Sequence, residues 1–150
     1  MLEAIKEAKK AYLKDEVPVG AVIVKDGKII ARAHNKKEEK NQATRHAEIE
    51  VIEIASKKLN NWYLSECDLY VTFEPCLMCC GAIINSRIDN VYFGAYDYKY
   101  GCSGSIMNVL SDKRFNHNPN VQGGILEKEC SKILTDFFKE KRQEKKEIKE

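Results

Sequence analysis

Nowhere in the 150 residues does an apolar run approach the roughly 20 that a membrane span requires, so no membrane partner is expected. The opening Met1-Leu2-Glu3-Ala4-Ile5-Lys6 has neither an uninterrupted apolar core nor a small-residue cleavage site. That argues against a secretory signal and makes the cytoplasm the expected compartment. Charge of one sign is also lacking. The net charge of +2 neither demands nor excludes a nucleic-acid partner, because local patches matter more than the sum. No internal repeat and no long linker interrupts the text. One domain over residues 1–150 is therefore expected, large enough to bury a core, with the last few residues a charged helix end.

Cysteine is not scarce. Cys67, Cys76, Cys79, Cys80, Cys102 and Cys130 are spread along a domain with no export signal, where a Cys-x-x-Cys pair points to metal or redox chemistry before a disulfide framework.

Residues 2–14 set Leu2, Ile5, Ala8, Tyr12 and Leu13 near helical spacing between lysines and glutamates, which predicts an amphipathic helix. Val17 to Val24, the Asp26-Gly27 turn and Lys28 to Ala33 read as a β-hairpin. Residues 35–45 are polar and irregular. A helix is expected from about His46 to Leu59 with Thr44 as its N-cap, then a strand over Asp68 to Phe73. Pro75 is expected to open a helix to about Ser86, and Asn90 to Ala95 to form a strand parallel to the previous one in a right-handed βαβ unit. A short helix over Ser105 to Leu110, a fifth strand over Val121 to Ile125 and a closing helix from Leu126 to about Lys145 complete an α/β domain, its central sheet covered by helices.

The chemistry-bearing residues lie in two short stretches, His46-Ala47-Glu48 and Pro75-Cys76-Leu77-Met78-Cys79. A catalytic zinc keeps three protein ligands and leaves a fourth position open. Cys76 and Cys79, three apart at a helix start, present both thiols on one face, where the unpaired N–H groups and the positive dipole end favour thiolate. His46, also at a helix start, is the candidate third ligand across the crevice at the strand ends. Glu48 points to another side of its helix and is left to move protons as water attacks an amidine-type ring carbon and ammonia departs. A structural zinc site would want a fourth protein ligand, and Cys67, Cys80, Cys102 and Cys130 do not stand at ligand spacing. A redox pair would explain neither Pro75 nor the upstream His-x-Glu.

Beyond these motifs the chain resembles the bacterial tRNA-specific adenosine deaminases, within the zinc-dependent cytidine/deoxycytidylate deaminase superfamily, over nearly its whole length. The resemblance rests on Asp15 to Val22, His46 to Ile49, Tyr70 to Cys76, Val91 to Asp97, Gly104-Ser105, Asn116-His117 and Gly124-Ile125-Leu126 leading into Leu134, Phe137 and Phe138. It implies a three-layer α/β/α, cytidine-deaminase-like domain whose five-stranded central sheet is mostly parallel, with a β-hairpin and helices on both faces. It also implies conversion of adenosine to inosine at the wobble position of a tRNA anticodon by a homodimer holding one Zn2+ per subunit. By the same carry-over His46, Cys76 and Cys79 hold zinc, Glu48 shuttles protons, Asn35 hydrogen-bonds the target base and the backbone of Ala47 fixes it. The chain departs from the family text in Asp97-Tyr98-Lys99-Tyr100-Gly101-Cys102-Ser103, where relatives more often have proline after the aspartate and alanines near Cys102 and Ser103.

On the substrate side, a base reaches buried zinc only when splayed from its stack, and an anticodon loop offers such bases at low cost. Asp97 is a candidate sensor of the ribose 2′-OH, or equally a cap of the turn that follows it. Tyr96, Tyr98 and Tyr100 beside Lys99 suit base stacking and phosphate contact, or else edge-strand packing. Phe137 and Phe138 read as core, with one of them a candidate border of the substrate channel. Arg142 and Lys145 lie in a mixed-charge run that is either a solvated helix face or a phosphate contact. Two other functions compete. A deaminase of free cytosine, guanine or cytidine would lack the Asn116-His117 and Phe137-Phe138 ending, and a non-catalytic zinc module that binds RNA would have no use for Glu48.

Overall fold

A computed structural model describes residues 1–150. The chain runs α1 (Leu2–Leu13), β1 (Gly20–Lys25), β2 (Lys28–His34), α2 (Lys37–Lys40), α3 (Ala47–Leu59), β3 (Cys67–Phe73), α4 (Leu77–Ser86), β4 (Asn90–Ala95), β5 (Asn120–Gln122) and α5 (Glu127–Lys149). The strands form one sheet in the order β2-β1-β3-β4-β5. β1 is antiparallel to both β2 and β3, while β3, β4 and β5 pair in parallel. Four strands thus run one way and only β1 is reversed.

The hairpin turns as its residues dictate. Lys25 faces Lys28 across a two-residue loop in which Asp26 (φ 52°) and Gly27 (φ 73°) both take left-handed conformations, the backbone of a type I′ turn. β1 begins only at Gly20, because Pro18 brings no N–H to a ladder. A side chain at position 20 would run into α1, so that helix lies directly against the strand backbone. Ala4, Ala8 and Ala11, fully buried, allow this close approach.

Helices α3 and α4 cover one face, where Val51, Ala55, Cys80 and Ile83 share a core with Ile23, Leu69, Val71 and Phe93. On the other face α1 and α5 meet, with Ile5, Cys130 and Leu134 against Ala95, and the rings of Tyr12 and Phe137 edge to face at 5.5 Å. The three-layer expectation holds. No helix is long and apolar enough to cross a membrane.

Several boundaries differ from the sequence reading. The 105–110 segment is not a helix: Ser103 and Asn108 form an isolated antiparallel bridge across a tight loop. The segment's donors are drawn elsewhere, since Val109 N, which a helix would pair with the Ser105 carbonyl, bonds the Cys102 carbonyl at 2.8 Å. The polar stretch 35–45 contains the single turn α2, and Thr44 does not cap α3. His46 occupies the N-cap, and its N–H is taken by the Thr44 carbonyl at 2.8 Å. Pro75 stands outside α4, because Cys76 is extended (φ −78°, ψ 178°) and is itself the N-cap. β5 stops at Gln122, before Gly124 turns the chain at φ 83°. α5 begins one residue later than expected and continues to Lys149.

Candidate active site

The parallel run of β2, β3 and β4 brings three strand ends to one edge of the sheet, and β1 starts there because it is reversed. Crevices at such carboxyl ends are where open α/β sheets bind ligands. A pocket of about 330 Å³ opens at this edge, small for a ligand site. Val17 and Val19 before β1, Asn35 after β2, Phe73 at the end of β3 and Asp97 after β4 line its walls. His46 and Glu48 from α3, with Cys76 from α4, line it as well.

The two helix starts put the donors together. His46 and Cys76 are both extended N-cap residues, and Cys79 lies in the first turn of α4. His46 Nδ1 sits 3.6 Å from Cys76 Sγ and 3.5 Å from Cys79 Sγ, and the three donor atoms lie within 4.8 Å of one another. A tetrahedral zinc with ordinary Zn–S and Zn–N bonds holds its N and S ligands about 3.5–3.6 Å apart. One Nδ1–H can aim at only one sulfur, so near-equal distances to two thiols suit a shared ion better than a hydrogen bond. The donor set fits a metal, and Nδ1 is the histidine atom offered to it.

Electrostatics separate the roles of these groups. A hydrogen bond from Cys79, helped by His46, outweighs burial and holds the Cys76 thiol down at about 4. The same bond and burial push Cys79 upward. The close approach of Cys76 Sγ to its ring raises His46, against the opposing effect of burial. Burial pushes Glu48, 4% exposed, up to about 7, with the Cys76 charge adding to the effect. A buried carboxyl beside three metal donors is what a proton carrier needs. Cys80 points away: its Sγ lies 3.3 Å from Ser103 Oγ, and burial pushes it up to about 12.

Asn35 is buried and already bonded, its Nδ2 donating to the Val17 carbonyl at 3.2 Å and its Oδ1 accepting from Lys37 N at 3.1 Å. Each of these atoms keeps one further hydrogen-bonding position. Ala47, fully buried, lines the pocket at the first helical position, where N–H groups have no partner within the helix. Asp97 caps a turn, its Oδ1 accepting from Lys99 N and Tyr100 N at 3.1 Å each, and it borders the pocket too. The tyrosines are not strand residues, since β4 ends at Ala95. Tyr96 and Tyr98 stack with centroids 6.3 Å apart, and Tyr98 is 78% exposed. Phe137 is buried, whereas Phe138 is exposed in a groove with Tyr98, Lys99 and Arg142 that shares Phe73 with the pocket. His117 is structural, its Nε2 bonding the Ile88 carbonyl at 2.7 Å.

Among the buried carboxylates to which the sequence reading gave no role, two hold segments beside the site. Glu16 accepts Glu38 N and Glu39 N at 2.8 and 2.7 Å, holding the start of α2. Glu74 accepts from the loop after β4. Both lie in stretches that carry the family resemblance, Asp15 to Val22 and Tyr70 to Cys76, but nothing along the chain pairs them with these amides.

Comparison with known proteins agrees with this geometry. Residues 1–142 match the family described as MafB19-like deaminase. A tRNA-specific adenosine deaminase of Bacillus subtilis (strain 168) is 55% identical over 146 residues, covering 97% of this chain and 91% of the relative. A structure from studies of A-to-I editing by tRNA:A34 deaminases at the wobble position of transfer RNA has a TM-score of 0.87 at 46% identity, covering 89% of this chain and 97% of that one. A guanine deaminase of Nitrosomonas europaea, TM-score 0.78 at 22% identity over 89% of this chain and 80% of that one, shares the fold alone. A match of this extent, on a chain that brings His46, Cys76 and Cys79 together beside Glu48, places the protein in the deaminase family, among the tRNA-specific adenosine deaminases.

Proposed function

We infer that this chain hydrolyses adenosine to inosine at the wobble position of a tRNA anticodon, consuming water and releasing ammonia. The observation that carries the reading is the placement of His46 Nδ1 at nearly equal distances from the two thiols, with the buried Glu48 beside them. Relatives named for tRNA-specific adenosine deamination, matched over nearly the whole chain, support the substrate.

His46, Cys76 and Cys79 hold one zinc ion per subunit. When bound, the ion supplies Lewis acidity that makes water a nucleophile near neutral pH. Glu48 takes one proton from the attacking water and passes it to the adenine ring nitrogen, then takes the second from the resulting C6 hydroxyl and passes it to the amine, which departs as ammonia and leaves a carbonyl at C6. Asn35 uses its spare donor and acceptor positions on the base edge, and the Ala47 N–H adds a backbone donor. Asp97, with Oδ1 committed to its turn, has Oδ2 left for the 2′-OH that marks RNA. The Tyr98, Phe138 and Arg142 groove suits a flanking base and its phosphate. Residues 1–150 act as one deaminase domain, in a cytoplasmic homodimer as the family resemblance implies.

The test is an anticodon stem-loop with adenosine at the wobble position, run beside free adenosine, guanine and cytosine. Inosine formed in the loop alone is the expected result. Turnover of a free base with the loop untouched would overturn the substrate assignment and leave the zinc chemistry in place.

A further inference from the structure

The loop from Asp97 to Ser105 carries Asp97 and Tyr100 to the pocket rim and Tyr98 and Lys99 to the adjoining groove. It has no regular secondary structure beyond one isolated bridge, so something else must hold its shape. Turn hydrogen bonds within the loop and one from Cys102 N to the Pro75 carbonyl at 2.9 Å hold part of it, and three of its other amides converge on one side chain. Glu74, 2% exposed at the end of β3, accepts Asp97 N at 3.1 Å through Oε1, and Ser103 N at 3.0 Å and Ser105 N at 3.1 Å through Oε2. The Ser105 hydroxyl donates to Oε1 as well. Every partner is a donor and no cation faces the carboxylate, an arrangement that suits an ionised, acceptor-only group. Gly101 lets the loop settle on it: a Cβ there would overlap the Glu74 carboxylate and lie 2.5 Å from the Asp97 carbonyl oxygen.

We propose that Glu74 is a positioning residue for substrate recognition, its carboxylate clamping the 97–105 loop so that Asp97, Tyr98 and Tyr100 stand ready for the nucleotides around the target base. The proposal rests on the tRNA-deaminase reading for its substrate, and on the hydrogen bonds alone for the clamp. Glu74 takes no part in the chemistry, since both of its oxygens are committed to the loop.

Glutamine is a sharp probe because its amide cannot satisfy this site in either orientation. With its nitrogen at the Oε2 position it opposes two backbone N–H groups. With its nitrogen at Oε1 it opposes Asp97 N, while the Ser105 hydroxyl can turn to accept. The second orientation costs less, so Glu74→Gln frees the Asp97 end of the loop and leaves the Ser103 end held. Loss of one charge-assisted hydrogen bond lowers the equilibrium constant for the clamped loop by about tenfold or more.

The experiment measures KM and kcat on the wobble stem-loop, the dissociation constant of the inosine-containing product loop, zinc per chain, and backbone hydrogen exchange. For Glu74→Gln we expect KM and the product dissociation constant to rise together by up to about tenfold, with zinc content unchanged and kcat changed far less than KM. Exchange should accelerate at Asp97 and much less at Ser103. Gly101→Ala, which pushes the loop off an intact carboxylate, is expected to raise KM in the same way and serves if Glu74→Gln fails to fold. A fall in kcat with KM unchanged, or unaltered exchange over 97–105 in a folded variant, would overturn the proposal. If the wild-type protein leaves the stem-loop untouched, the substrate reading fails, while the exchange measurement still decides whether Glu74 holds the loop.

Discussion

Gly20→Ala tests the packing that sets one wall of the pocket. An added Cβ would overlap the Ala4 carbonyl oxygen and the Ala8 amide nitrogen, and lie 2.8 Å from Glu7 Cβ. Ordinary contact begins near 3.4 Å, so α1 must retreat by at least about 0.6 Å, and the backbone atoms demand more. Overpacking costs typically 1–3 kcal/mol, and the rigid helix backbone as obstacle puts this case near about 3 kcal/mol. For a chain of this length that corresponds to a fall in Tm of roughly 6–12 °C. The effect should also reach function, because Val17 and Val19 lead into Gly20, line the pocket and accept the Asn35 Nδ2 and backbone N–H groups, respectively. Thermal unfolding and steady-state kinetics on the stem-loop are the assays, with a lower Tm and a higher KM expected together. A variant as stable as wild type would refute the close approach of α1 to β1.

Three further perturbations probe separate parts of the molecule. Burial raises the Glu7 carboxyl, but hydrogen bonds from Lys10 and His34 outweigh it and hold the group below its ordinary value. Its stabilising contribution is therefore present above about pH 4.5 and lost as pH falls through the folded-state pKa, so Glu7→Gln should reduce urea stability at pH 7 and differ less from wild type in acid. Asp97→Asn keeps an oxygen for the turn and removes the charge, and is expected to weaken discrimination between ribose and deoxyribose stem-loops. Unchanged discrimination would take Asp97 out of substrate recognition. Glu16, 1% exposed, holds two amides of α2, and Glu16→Gln should lose about 2 kcal/mol locally, seen as faster exchange at Glu38 and Glu39 with little change in Tm.

The parts of the site that were legible in the sequence are those whose meaning is local. His46-x-Glu48 and Cys76-x-x-Cys79 declare metal and proton chemistry by residue type and spacing, and Asp26-Gly27 declares the hairpin by its tolerance for positive φ. What stayed hidden depends on distant partners. Glu74 meets residues 23 to 31 positions away, and Glu16 meets residues 22 and 23 away. No pattern along the chain reports such contacts. The helix expected over Ser105 to Leu110 failed because the Val109 N–H bonds the Cys102 carbonyl across the loop instead of the Ser105 carbonyl one helical turn back. Helix α3 starts one residue and α4 two residues later than expected, because His46 and Cys76 are extended N-caps that turn their side chains to the metal site.

The most direct measurement is single-turnover inosine formation in the wobble stem-loop by wild type and Glu48→Gln, compared at equal zinc content. Zinc should remain at one per chain in both proteins, because Glu48 is not a ligand. Removal of the proton carrier should slow the chemical step by about 10²–10⁴-fold. A Glu48→Gln protein that loads zinc and forms inosine at the wild-type rate would contradict the role of Glu48 and, with it, the reading of this pocket as a hydrolytic deaminase site.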